Sequence, residues 1–149
     1  MKKHFLMHLG MVFLFFLPDA SLFGQAKTMI IGRSQNQTGQ ITDWIAAQRT
    51  LQANLPSSAV VSDLRIDYAY ADSIYYLSGK VANDDVNTIF ISLHEVNGQL
   101  VAMAGPGSKI TCASFDCDVC RDMCNGRPCC KCLSGSGRCD MVSTLTVDL

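Results

Sequence analysis

Apolar and polar positions divide the chain into one long apolar run, one stretch of helical period and several of period two. The long run is residues 5–17, which contains His8 but no formal charge, behind Lys2 and Lys3 and closed by Pro18. A charged start, an apolar centre and a breaker are the three parts of an export signal. Thirteen residues fall short of the roughly 20 that a membrane-spanning helix needs. The expected cut follows Gly24, with Ala20 as the second choice. Residues 1–24 are thus read as a signal peptide and residues 25–149 as a single domain. No later apolar run is long enough to cross a membrane.

Helical period occurs once, over residues 41–55. Ile41, Trp44, Ile45, Leu51 and Leu55 approximate one face, broken by Gln48. Thr42 is the expected cap, Asp43 sits near the positive helix end, and Pro56 stops the element. Trp44, on the apolar stripe, is expected in the core. Residues 27–32 suggest a short strand and residues 33–40 an exposed polar loop.

From residue 63 the period is two. Leu64, Ile66, Tyr68 and Tyr70 mark one strand, and Tyr75, Leu77 and Val81 a second. Ile89, Ile91 and Leu93 mark a third. Asn97-Gly98 is a two-residue hairpin turn that leads into residues 100–103. Gly105-Pro106-Gly107 is expected to end that strand before another over residues 109–113. Met141, Leu145 and Val147 pattern a last one. The expected fold is therefore α+β: one helix packed on an antiparallel meander of about five strands, with a disulfide-rich loop near the C-terminus. An all-β sandwich with a peripheral helix is the alternative.

Composition sharpens this picture at one place. All eight cysteines lie in residues 112–139, spaced C-x4-C-x2-C-x3-C-x4-CC-x-C-x6-C. An even count, an exported chain and few large apolar neighbours argue for disulfides among Cys112, Cys117, Cys120, Cys124, Cys129, Cys130, Cys132 and Cys139. The pairing stays open among 105 connectivities, except that the neighbours Cys129 and Cys130 should each pair elsewhere. Strand pattern on both sides makes this segment a stapled loop between two strands of one sheet, with Cys112 and Cys139 at its feet.

Two other chemistries compete for these thiols. Cys117, Cys120, Cys130 and Cys132 together offer four thiolates to one zinc or copper ion. Alternatively, Cys117-Asp118-Val119-Cys120 is a C-x-x-C of the kind that exchanges disulfides. Six further cysteines close by would then be competing exchange partners.

Charge and motifs exclude more than they assign. Cleavage after Gly24 removes two lysines and one aspartate, so the formal charge moves from −1 to −2. No basic block points to nucleic acid or to an anionic membrane surface. His94 is the one histidine beyond the signal, and its neighbour Glu95 should point to the opposite face. No nucleophile elbow, zinc-protease helix or phosphate loop is present. Asp84-Asp85 reads as turn chemistry. Asp116, Asp118 and Asp122 lack the spacing of a calcium loop. The tyrosines at 68, 70, 75 and 76 suit strands, and secondarily a carbohydrate- or protein-binding face. Asn36-Gln37-Thr38 matches a glycosylation sequon and is read as a chance triplet.

The ending KCLSGSGRCDM, downstream of a sheet pattern and a C-x-x-C, resembles small exported bacterial proteins with a cysteine-rich C-terminus. The resemblance covers about the last 40 residues and implies no functional residue. The expectation is a secreted or periplasmic, non-enzymatic protein without a cofactor, a disulfide-stabilised recognition or structural module. Its partner is a protein or glycan at the cell surface or outside the cell, with no nucleic acid and, after cleavage, no membrane. Thiolate metal binding and thiol–disulfide exchange are the alternatives.

Overall fold

In a computed structural model residues 27–149 are described, and the expected signal peptide lies outside the described residues. Eight antiparallel strands and one short helix follow in chain order: β1 (Thr28–Gln35), β2 (Thr38–Ile41), α1 (Trp44–Gln52), β3 (Val60–Ala69), β4 (Ile74–Ala82), β5 (Val86–Val96), β6 (Gln99–Met103), β7 (Gly105–Cys124) and β8 (Arg127–Val147). The spatial order is β2-β1-β6-β5-β4-β3. β7 pairs with the first half of β5, beyond the end of β6, and β8 pairs with β7.

This architecture corrects the α+β expectation: the described residues are all-β, a near-closed antiparallel sheet with one nine-residue helix. Two stretches read as loops are strands. Residues 33–40 form the β1–β2 hairpin, turned by Asn36 and Gln37 at φ 50° and 61°. The cysteine segment is likewise a ladder, β7 against β8. Its turn is Asn125-Gly126, with both residues at positive φ, where glycine carries no Cβ penalty. β6 does end at Met103, just before Gly105-Pro106-Gly107, but the next strand starts at Gly105 rather than at residue 109, with Gly105 and Pro106 already laddered to Val147 and Thr146.

The concave face of the sheet holds the main core. Tyr75, Leu77 and Val81 from β4 meet Ile89, Ile91 and Leu93 from β5, Ile31 from β1 and Leu100 from β6. α1 seats on this face through Ala46, Ala47, Thr50 and Leu51; the two alanines allow close approach to the strands and Leu51 fills the core. That face is rotated from the expected stripe. Ile41 belongs to β2, while Trp44 and Ile45 point outward, 59% and 65% exposed. Trp44 is therefore not a core residue. The helix cap is Asp43 rather than Thr42, its carboxylate accepting the Ala46 N–H at 2.9 Å.

The alternate residues of β4 and β5 point to the convex face and are buried as well. Tyr76, Phe90, Ile110 and Ala69 form a second core there with Cys112, Cys117 and Cys120. What covers it is the distal part of the β7–β8 hairpin, hereafter the arm. Register shifts near residues 106–109 and through 115–122 bend the ladder, as bulges do. Ordinary pairing sets Cys112 opposite Met141, yet Cys112 is bonded to Cys130, far nearer the tip. A hairpin can satisfy both only by folding back over its own base.

Candidate functional site

The arm is the element from which any site is built, so its attachment comes first. All eight cysteines are paired: Cys112–Cys130, Cys117–Cys132, Cys120–Cys139 and Cys124–Cys129. Cys129 and Cys130 pair elsewhere, in line with the constraint read from their adjacency. No bridge joins two residues that are ladder partners. Three bridges instead tie the folded-back tip to the base, and Cys124–Cys129 closes the turn.

Polar contacts fix the arm to the sheet at both ends of β3. At the start of β3, the buried Arg121 guanidinium donates to the Asp63 carboxylate at 2.9 Å and to the Asp63 carbonyl at 3.3 Å. Burial pushes the Asp63 carboxyl up, but Arg121 and Lys80 outweigh it and hold the group below its usual 3.8. Nearby, the Cys120 N–H donates to the Asn87 side chain at 2.9 Å. Past the end of β3, the Ala71 N–H donates to the Gly126 carbonyl at 3.2 Å, and Arg127 pairs with Asp72 at 2.8 Å.

That docking creates a groove. β2 and β3 are the two edges of the curled sheet; they approach without forming a ladder. Gly39 allows the approach, because a Cβ there would run into the Ile66 side chain. Into this seam the arm brings Met123 and Gly126. The resulting groove, about 370 Å³, is lined by Gln37, Thr38 and Gly39, by Ile66, Asp67, Tyr68 and Tyr70, and by the two arm residues. Tyr68 and Tyr70 stand edge to face with centroids 5.0 Å apart, and Tyr68 leans on Tyr75 at 4.8 Å. Tyr70 is 67% exposed and offers its ring to solvent. Asp67 is held in place by the Ser78 hydroxyl at 2.9 Å and by Arg65 at 3.0 Å. A neighbouring 500 Å³ hollow, which shares Thr38 with the groove, is lined only by polar residues of the β1–β2 hairpin.

Chemically the groove combines an exposed aromatic face, an apolar floor and planar hydrogen-bonding groups. Tyr75 and Tyr76 do not contribute, since both are buried. Burial raises each phenol above its usual 10.0, reinforced by Glu95 for Tyr75 and by Asp72 for Tyr76. The other residues singled out in the sequence lie apart. His94 is exposed on β5 opposite Val101, Glu95 accepts from Ser34, and Asp84 accepts the Val86 N–H. Residues 36–38, the sequon, sit at the β1–β2 turn beside the groove.

The thiolate quartet proposed from spacing is not assembled as such. Cys130 is bonded to Cys112, whereas the sulfurs of Cys117, Cys120 and Cys139 lie within 4.8 Å of one another. Cys117 and Cys120 do not pair with each other; the C-x-x-C is split between two bridges, and both of its cysteines are buried. Cys139, expected in a disulfide but not in that quartet, is distant in sequence, and only the bend of the hairpin returns it. Asn125-Gly126, the same dipeptide as Asn97-Gly98, was the signal for that hairpin.

Among the described residues no helix is long and apolar enough to cross a membrane. No family model matches the chain, and no curated protein or solved structure matches it.

Proposed function

We propose that the protein is an exported, non-enzymatic recognition module that binds a glycan in the groove between β2, β3 and the arm tip. The observation that carries this reading is the convergence of three distant segments, residues 37–39, 66–70 and 123–126, on one groove with an exposed Tyr70 ring. A pyranose presents an apolar C–H face that stacks on an aromatic ring, while its hydroxyls need planar polar partners. Gln37 and Asp67 supply those beside Tyr70, and Thr38 adds a hydroxyl. Four bridges suit an oxidising compartment, and the fixed arm holds one wall of the groove without the entropy cost of ordering a loop on binding.

The test is a titration of the oxidised protein with a panel of neutral oligosaccharides, followed by tyrosine fluorescence and by amide shifts. Binding should shift residues 37–39 and 66–70 and weaken at least about tenfold in Tyr70→Ala, as losing a stacking aromatic implies. Saturable binding that Tyr70→Ala leaves unchanged would move the site elsewhere. Shifts caused only by peptides would replace the glycan with a protein partner.

A second reading, thiolate metal binding, is favoured by a specific observation: three sulfurs from two different bridges share one 4.8 Å cluster. It applies to the reduced chain, whereas glycan recognition applies to the oxidised one.

A further inference from the structure

We infer that the reduced arm binds one zinc ion on Cys117, Cys120, Cys132 and Cys139, a set that linear spacing does not select. This rests on the second reading above and gives it a site. The sulfurs of Cys117, Cys120 and Cys139 already lie within 4.8 Å of one another, and Cys132 is joined to Cys117. Two adjacent bridges thus bring three sulfurs into one cluster, with the fourth bonded to one of them. A tetrahedral zinc with bonds of about 2.3 Å sets its sulfurs about 3.8 Å apart, so each bonded pair must open once reduced, while Cys117, within 4.8 Å of Cys120 and Cys139, closes on them by at most about 1 Å. Thiolates are the donors that select soft ions, zinc or copper(I), over calcium or magnesium.

The chemistry balances with a dithiol as reductant. Each of the Cys117–Cys132 and Cys120–Cys139 bridges accepts two electrons and two protons. Its S–S bond breaks, two thiols form, and the dithiol leaves as its own disulfide. Zinc then displaces four protons from the four thiols, giving a tetrathiolate of net charge −2. One four-way cross-link replaces two covalent ones at the same point of the fold.

The surroundings are suited to keep that point in place. Cys117 and Cys120 are buried against Phe90 and Ile110, and the Cys120 N–H is held by Asn87 on β5. Arg121, next in the chain, is anchored to Asp63. The remaining bridges serve other ends: Cys112–Cys130 ties tip to base, and Cys124–Cys129 closes the turn. Neither contributes a sulfur to the cluster.

The experiment takes the mature chain, reduces it with a dithiol under argon, desalts it and titrates it with Co2+. One equivalent should bind with thiolate-to-cobalt charge transfer and the visible bands of a tetrahedral centre, and Zn2+ should displace it. Alkylation followed by peptide mass mapping should show that zinc slows modification of Cys117, Cys120, Cys132 and Cys139 at least tenfold relative to the metal-free reduced wild type, and slows Cys112, Cys124, Cys129 and Cys130 far less. Cys139→Ser should weaken Co2+ binding on the order of a hundredfold, as loss of one ligand in four implies. The double variant Cys112→Ser/Cys130→Ser should keep full stoichiometry. No Co2+ uptake by the wild type would overturn both the site and the reading beneath it. Uptake that protects Cys130 in place of Cys139, or all eight evenly, would keep thiolate binding but overturn this site. The alkylation map needs no variant, so a variant that fails to fold leaves the test intact.

Discussion

The two faces of the same sheet are stabilised by different means. On the concave face, Ile, Leu, Val, Ala and one Tyr pack around α1, and no cysteine takes part. On the convex face, three of the seven buried residues are half-cystines, and the covering layer is a polar arm rich in Asp, Arg and Gly. Where the chain supplies enough apolar side chains, burial at about 25 cal/mol per Å² suffices. Where it does not, loop closure removes entropy from the unfolded arm instead. The same strands, β4 and β5, serve both layers by alternation, which is why Leu77 and Tyr76 are neighbours in sequence and belong to different cores.

Substitutions can set the two layers against each other. Leu77→Ala, at a fully buried concave position, should cost about 3–4 kcal/mol in chemical denaturation, oxidised or reduced alike. An equal loss from removing a convex bridge in the reduced protein would break the distinction. Replacing Cys120 and Cys139 together by alanine releases a link across 19 residues, worth about 3 kcal/mol by the loop-entropy estimate. That effect should appear only under oxidising conditions, as a difference between the oxidised variant and the oxidised wild type.

The smallest effect concerns the Asp63–Arg121 link, which holds the arm to β3. The Asp63 carboxyl lies below its ordinary range in the folded protein. Its contribution is therefore present above the unfolded value, near 3.9, and lost as pH falls through the lower folded value. Asp63→Asn keeps a side chain that tolerates the local φ of 49°. It should flatten the acid limb of the stability profile without moving the neutral-pH concave core, as read by Leu77 and Ile91 amide protection. An unchanged acid limb would mean that Asp63 carries no linkage.

How much of this was legible in the sequence follows the same division. Alternation located β3, β4 and β5, and Asn97-Gly98 located the β5–β6 turn. The strands on either side of the cysteines were legible too, because Met141 and Val147 kept the period of two. Alternation alone, however, describes a strand with one buried face. It said nothing of a second layer over Tyr76 and Phe90, so the arm was read as a loop. Trp44 misled because hydrophobicity is a weaker guide than size: α1 lies close to the sheet on Ala46 and Ala47, and the bulky residue is turned out. The groove was beyond reach, since its three segments meet only after the sheet curls and the arm folds back.

The central claim is that the arm is a separately stabilised outer layer, and hydrogen exchange with and without its bridges tests it most directly. With all four disulfides reduced and a chelator present, amides of residues 112–139 should lose protection by orders of magnitude. Those of Leu77, Ile89 and Ile91 should remain protected. Simultaneous loss of protection across both sets would contradict the account and make the arm inseparable from the main core.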